Sequence, residues 1–492
     1  MYYFSTRDKN DKVTAAKAIA CGLAPDGGLY VPEIIPGFTS SELEGLCKSD
    51  YRSRAVAVMS KYLDDFSIEE LEEFSLKAYG ANYDDPNCAA PLRGYNSNTA
   101  FLELWHGPTC AFKDMALQML PHLLTASVKK CGETSEICIL VATSGDTGKA
   151  AMDGFADVSG TRIVVFYPND GVSDIQKLQM TTQRGNNVLV SGIIGNFDDA
   201  QTGVKEIFND TGFAEELEER GYKLSSANSM NWGRLLPQIV YYVSAYCDAA
   251  NAGLVAFGDK LNFCVPTGNF GNILAGWFAK QMGVPIGRLI CASNKNNVLS
   301  DFISNGVYDK NREFFTTISP SMDILVSSNL ERLLYELSSD DTLVKSFMSQ
   351  LAEKGKYEIP TELLEKLAED FTGGFCDDIS TKSEIKRVFD ESGYLIDTHT
   401  AVASKVLADY RTSSGDDTPC VIISTASPYK FAEDVLSALG ESGKGTDALG
   451  VLKKASGIDI PKPLQSLSED KQRFEECIDK ADMKEFVKGY LK

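Results

Sequence analysis

The chain has 492 residues, 43% apolar and 24% charged, and a formal net charge of −21 at neutral pH. That length suggests about three domains rather than one small core, and the acidic balance excludes nucleic acid and anionic membrane surfaces as partners, since both need a basic face that displaces counterions. No apolar run approaches bilayer length and the start, Met1-Tyr2-Tyr3-Phe4-Ser5-Thr6-Arg7-Asp8, has neither the basic nor the apolar part of a secretory signal, which together predict a cytoplasmic protein without a membrane partner.

Residues 1–90 read as helices with charged faces, as over 40–47 and 68–78, interrupted by the turn-rich stretch Ala24-Pro25-Asp26-Gly27-Gly28-Leu29-Tyr30-Val31-Pro32, and look like a cap. From 100 to 300, short β-branched runs at 137–142, 162–167, 187–191, 261–265 and 288–292 each lead into a polar or glycine-rich turn and then a helical pattern. Runs that are apolar throughout and separated by helices predict parallel strands buried on both faces, an α/β fold. Helices return over 320–410, a further buried strand is expected at 420–424, 441–463 reads as a linker, and a charged helical tail follows. The twelve cysteines include no Cys-x-x-Cys pair and read as thiols in a reducing compartment, while three histidines leave little room for a metal site, so no metal is expected.

Lys113 closes the turn-forming run His106-Gly107-Pro108-Thr109-Cys110-Ala111-Phe112 and opens a helical pattern of Met115, Ala116, Leu117, Met119 and Leu120. An amine partly desolvated at a helix start has a lowered pKa and can form a Schiff base with a carbonyl cofactor; the plainer reading is a solvated helix residue. Thr143-Ser144-Gly145-Asp146-Thr147-Gly148 follows one strand and heads a helix, where hydroxyls and free amides suit a carboxylate and Asp146 suits a cation, though the same residues make a plain helix cap. Ser226-Ala227-Asn228-Ser229-Met230-Asn231-Trp232-Gly233-Arg234 heads another helix, as a receptor for a phosphate or as a cap with a solvated arginine. Gly268-Asn269-Phe270-Gly271-Asn272 joins strand 261–265 to a helix; it reads equally as an anion cradle and as a turn that needs glycine dihedrals. With Ser427 as N-cap and Pro428 at the first helical position, Thr425 falls at the carboxyl end of a strand, the edge where ligands of open α/β sheets bind.

With these loops in order, and with Gly22-Leu23-Ala24-Pro25-Asp26-Gly27-Gly28-Leu29-Tyr30-Val31-Pro32 and Asp397-Thr398-His399-Thr400-Ala401 beside them, most of the chain resembles the threonine synthases, pyridoxal-phosphate enzymes of the tryptophan-synthase-β fold type. The resemblance implies two open, twisted, mostly parallel sheets with helices on both faces. It also implies a cap over 1–90, a large cofactor domain over 91–140 and 226–440, a small domain over 141–225, and a linker with a helical extension over 441–492.

It implies that Lys113 carries pyridoxal 5′-phosphate as a Schiff base and, once freed, takes the substrate's α-proton. Gly268, Asn269, Phe270, Gly271 and Asn272 would cradle the cofactor phosphate, Thr425 would meet the pyridine nitrogen, and Asp146 the ring's 3′-oxygen. Thr109, Ser144, Gly145 and Thr147 would bind substrate, and Ser229, Asn231 and Arg234 its phosphate. Ser427 stands where the family often has histidine, and Asp146 where related loops carry asparagine. The implied reaction turns O-phospho-L-homoserine and water into L-threonine and phosphate, in a monomer or homodimer. The rival readings are a serine/threonine dehydratase, which needs no receptor for a substrate phosphate, and a non-catalytic binding protein.

Overall fold

The computed structural model describes residues 1–143, 145–169 and 172–491. The first 90 residues are not wholly helical: β1 (Tyr2–Ser5) pairs antiparallel with both β2 (Asp8–Thr14) and β3 (Tyr30–Pro32). The charged run Asp8–Thr14 is almost entirely exposed, so no apolar alternation marks it as a strand. The expected helices Ser40–Cys47 and Ile68–Ala78 are present, each started by a reciprocal capping box, Thr39 with Glu42 and Ser67 with Glu70.

The remaining strands in chain order are β4 (Leu92–Asn96), β5 (Thr99–Glu103), β6 (Glu136–Ala142), β7 (Thr161–Pro168), β8 (Val188–Ile194), β9 (Tyr222–Ser225), β10 (Leu261–Pro266), β11 (Ile286–Ser293), β12 (Val307–Asp309), β13 (Lys356–Glu358), β14 (Phe371–Phe375), β15 (Cys420–Ser424) and β16 (Cys477–Asp479). One sheet runs β14-β11-β10-β15-β5-β4, parallel except for the β4–β5 edge, and another runs β16-β8-β7-β6-β9, parallel throughout. The fold is therefore α/β with two mostly parallel sheets. In the larger one Phe263, Val265, Leu289, Val421 and Ile423 pack in the same core as helices Trp232–Asn251 and Gly271–Gln281, while Cys264, Ile290, Phe101 and Ile422 pack with Thr398–Ser414. Alternate residues thus enter opposite cores, which is why these strands read as largely apolar runs without alternation.

Two segments depart from the sequence reading. The expected linker contains helix Asp447–Ser456, which buries Ala448, Leu449 and Leu452 against the core that holds Val435 and Leu436. The tail then runs to the smaller sheet: the Arg473 guanidinium donates to the Gln183 and Gly185 carbonyls, β16 adds a parallel edge to β8, and helix Met483–Tyr490 packs beneath. The helical stretch 320–410 also contains β14, whose two glycines suppress any strand signal. A Cβ on Gly373 would lie 2.8 Å from the Ser300 Cα, so this strand depends on close backbone approach. No helix among the described residues is long and apolar enough to cross a membrane.

Candidate active site

The ends of β5 and β15 bring Lys113 and Thr425 together. Ala111 bridges Ala426, the Phe112 amide donates to the Thr425 carbonyl at 2.8 Å, and the Ser427 amide to the Cys110 carbonyl at 3.0 Å. Lys113 then starts the short helix Asp114–Leu117 with its amine turned inward. Nζ lies 3.2 Å from Ser321 Oγ, 4.0 Å from Asp146 Oδ2 and 5.2 Å from the Phe112 ring centre. Burial, reinforced by the positive charges of Lys430 and Arg234 and opposed by Asp146, pushes its pKa down to about 8. Thr425 is buried, and no hydrogen bond to its hydroxyl is found among the described residues.

Asp146 opens helix Asp146–Phe155. Its carboxylate accepts from Lys430 Nζ at 2.9 Å and from Gln176 Nε2 at 2.9 Å. Burial alone would raise its pKa, but Lys430, Lys113 and Gln176 together hold it well below the usual carboxylate range. The cation that Asp146 faces is thus chiefly Lys430, fully buried, which also donates to the Thr109 carbonyl at 2.9 Å and to Gln179 Oε1 at 3.0 Å. The Thr143 hydroxyl accepts from the Gly145 and Gly148 amides, and Gly145, at φ 136°, has the Gln176 side chain where a Cβ would stand. Thr147 is half-buried; Ser144 lies outside the described residues. Thr109 is engaged elsewhere than expected: its hydroxyl donates to Asp114 at 2.6 Å and its amide at 2.8 Å, beneath a carboxyl that burial pushes up to about 7.

In the 268–272 turn, Phe270 takes φ 62° and caps helix Gly271–Gln281. A Cβ on Gly268 would come 2.5 Å from the Ser321 carbonyl oxygen. Asn329 holds the Asn269 carbonyl through both its amide and its side chain at 3.1 Å. Asn272 Oδ1 accepts from Tyr241 and Tyr242, yet its Nδ2 is buried with no partner. Tyr241 lies on helix Trp232–Asn251, whose first turn carries Arg234, and this ties the two clusters together. Arg234 is buried, donates from Nη1 to the Ala227 carbonyl, and leaves Nε without a partner; burial pulls its pKa down to about 10. Asn231 caps the helix by accepting from the Gly233 amide and donates to the Ile19 carbonyl, so both ends of its amide are occupied, while Ser229 is half-buried.

Several site residues carry no sequence signal. Ser321 sits on the single turn Pro320–Met322, more than 200 residues from Lys113, and its amide donates to His399 Nε2 at 3.2 Å. Nε2 is therefore an acceptor, and the ring proton on Nδ1 goes to Asp397 Oδ2 at 2.8 Å. The pair Asp397–His399 was visible as a motif; Ser321, Lys430 and Gln176 were not.

These residues fit pyridoxal phosphate. A buried, weakly basic lysine stands beside a free hydroxyl at a strand end, and an orphaned amide NH2 points from a left-handed turn that leads into a helix. The close approach at Gly268 supports the same reading. Gly268→Ala is expected to weaken cofactor uptake about tenfold; an unchanged dissociation constant in a titration of the apo chain would refute the cradle.

Comparison with known proteins follows the same division. The model for the threonine synthase N terminus matches residues 2–79, that for pyridoxal-phosphate dependent enzymes 93–426, and that for the threonine synthase C-terminal region 400–487. The chain is 42% identical over 450 residues to threonine synthase-like 1 of Macaca fascicularis, covering 88% of this chain but 59% of that protein's length. It is 39% identical to threonine synthase of Pseudomonas aeruginosa, over 89% of this chain and 90% of that one. The solved structure of pyridoxal-phosphate-bound threonine synthase from Brucella melitensis superposes with a TM-score of 0.89 at 36% identity, over the whole of both chains.

Proposed function

Since the chain belongs to the threonine synthase family of pyridoxal-phosphate-dependent enzymes, we propose that it converts O-phospho-L-homoserine and water into L-threonine and inorganic phosphate, the closing step of threonine biosynthesis. The observation that carries this reading is Arg234, a buried guanidinium with an unpartnered Nε and, among the described residues, no carboxylate in salt-bridge range. In a chain of net charge −21 such a cation is suited to a phosphate brought by the substrate. A dehydratase of unphosphorylated amino acids has no use for it. We place the protein in the cytoplasm, as a monomer or homodimer; its twelve cysteines, with no disulfide among the described residues, support a reducing compartment.

Lys113 would hold the cofactor, Gly268 to Asn272 its phosphate, Thr425 its pyridine nitrogen, and Asp146 would face the 3′-oxygen with Lys430 balancing its charge. When bound, pyridoxal phosphate supplies an electron sink next to the substrate's amine. Lys113, with a pKa near working pH, can give up its proton on release and act as the base at the α-carbon. Ser321 Oγ receives the free amine, and His399, gripping the Ser321 amide, fixes where that hydroxyl stands. Arg234, with Ser229 and the loop amides, grips the phosphate as it leaves Cγ. The Thr143–Gly148 loop, with Ser144, Gly145 and Thr147, would receive the substrate carboxylate. Thr109, committed to Asp114, would act by shaping that wall.

The test is direct. The cofactor-loaded chain given O-phospho-L-homoserine should release phosphate and threonine in equal amounts; no phosphate would defeat the reading, and a 2-oxo acid from threonine would make the chain a dehydratase. Arg234→Ala should lower kcat/KM about 10²- to 10³-fold, and a variant with full substrate affinity and turnover would remove the phosphate assignment. The pH dependence has a fixed sign. Because burial lowers the Lys113 pKa to about 8, its reactive free amine grows as pH rises toward 8 and saturates above it. Cofactor capture by the apo chain, followed by absorbance, should therefore accelerate with pH and level off there; a rate that is flat from pH 6 to 9 would contradict it.

A further inference from the structure

Arg332, in the first turn of helix Leu330–Ser338, is fully buried, yet no carboxylate among the described residues lies within salt-bridge distance of it. Glu331 and Glu336 act on its charge only from beyond salt-bridge range. Glu331 is engaged by Arg7 and Thr6, and burial pushes Glu336 up to about 8 against the pull of Arg332.

The guanidinium instead reaches three pieces of backbone and side chain that belong to different parts of the site. Nη2 donates to the Met230 carbonyl, inside the 228–234 loop, and the guanidinium carbon lies 6.0 Å from the ring centre of Trp232, two residues further on. Nη1 donates to Asn329 Oδ1, and the same Asn329 side chain turns its NH2 onto the Asn269 carbonyl in the 268–272 cradle. Nε donates to the Tyr30 carbonyl at 2.9 Å, fastening the N-terminal sheet over both. The planar fork of an arginine can hold these directions at once; the point charge of a lysine cannot.

We propose that Arg332 is a positioning residue that fixes the spacing between two phosphate receptors, the cofactor cradle at 268–272 and the substrate-phosphate loop at 228–234, and that loosening one end loosens the other. This rests on the reading of Arg234 given above. Two buried guanidiniums, Arg234 on the Ala227 carbonyl and Arg332 on the Met230 carbonyl, then bracket the same loop, the first facing the arriving phosphate and the second holding the loop in place. Arg332 touches neither phosphate; it acts through Asn329 and Met230.

The experiment measures two dissociation constants, that of pyridoxal phosphate for the apo chain and that of inorganic phosphate for the cofactor-loaded chain, by calorimetry, alongside melting temperature. Arg332→Lys keeps the charge and loses the fork; it should weaken both about tenfold. Asn329→Ala cuts the strut at the cradle alone and keeps Arg332 in place should the lysine variant fail to fold. It should still weaken inorganic phosphate about threefold at the far loop, which a residue that only stabilised the cradle would not do. An effect on one constant only, or on melting temperature only, overturns the coupling. A wild-type chain that binds no inorganic phosphate sinks the phosphate-substrate reading itself, and the coupling with it, a result visible before any variant is made.

Discussion

Lys113→Ala is expected to leave a folded protein that releases no measurable phosphate from O-phospho-L-homoserine. The lysine is asked to do two things, and each is lost. General-base work by a placed side chain is worth about 10²- to 10⁴-fold, and the covalent hold on the cofactor is a further term that no neighbour replaces. Ser321 offers a hydroxyl and Lys430 is bound to Asp146, the Thr109 carbonyl and Gln179, so neither is free to substitute. Folding should survive because Asp146 keeps its 2.9 Å contact to Lys430 when its 4.0 Å contact to Lys113 is removed. Borohydride reduction followed by peptide mapping should place the cofactor on Lys113 in the wild-type chain and nowhere in the variant. A labelled peptide elsewhere, or a variant with turnover within tenfold of wild type, would show that another amine carries the chemistry.

Lys430→Met should produce the largest loss of stability in the site. The side chain is fully buried, and removing its charge leaves the Thr109 carbonyl and Gln179 Oε1 without a donor and the Asp146 carboxylate without its closest cation, held only by Gln176 and the more distant Lys113. Breaking a buried ion pair by deleting one member destabilises by about 3–5 kcal/mol, because the remaining charge stays behind without compensation. The midpoint of urea unfolding reads this. The same change acts on Lys113 in two ways of the same sign: it removes a repelling charge and leaves Asp146 with only one lysine to attract. The Lys113 pKa should therefore rise above about 8, moving the pH at which cofactor capture levels off upward by an amount that absorbance kinetics would resolve. Unchanged stability together with an unchanged pH midpoint would mean that Lys430 is not what balances Asp146.

What the sequence revealed and what it hid have separable causes. Strands such as Leu261–Pro266 and Cys420–Ser424 were legible because both faces are buried and nearly every residue is apolar, and the loops at their carboxyl ends were legible because glycine, proline and capping residues punctuate them. β1 and β2 were hidden by short length and by the charged, exposed run Asp8–Thr14, and β14 by Gly373 and Gly374, which permit close packing against Ser300 and Val406 and give no strand signal. The helix at Asp447–Ser456 was masked by the glycines and prolines around it. Within the site, residues that sit in a motif could be named in advance. Nothing in the local sequence singles out Lys430, Ser321 or Arg332. Their importance comes from contacts across hundreds of residues, which no local pattern records.

The order of strands sets a constraint on how the protein can be made. β5, which leads to Lys113, pairs with β15 only after residue 424 has been synthesised, and β8 gains its outer neighbour β16 only after residue 479. A chain emerging from the ribosome in sequence thus carries strand edges that stay open until late in its synthesis, those of β5 and β10 that β15 fills beside the future cofactor lysine, and that of β8 on the sheet that bears Asp146. Nascent chains stalled before residue 424 should therefore be chaperone clients or aggregate, and a pulse of protease during translation should find the Lys113 region cleavable until nearly the last strand is in place.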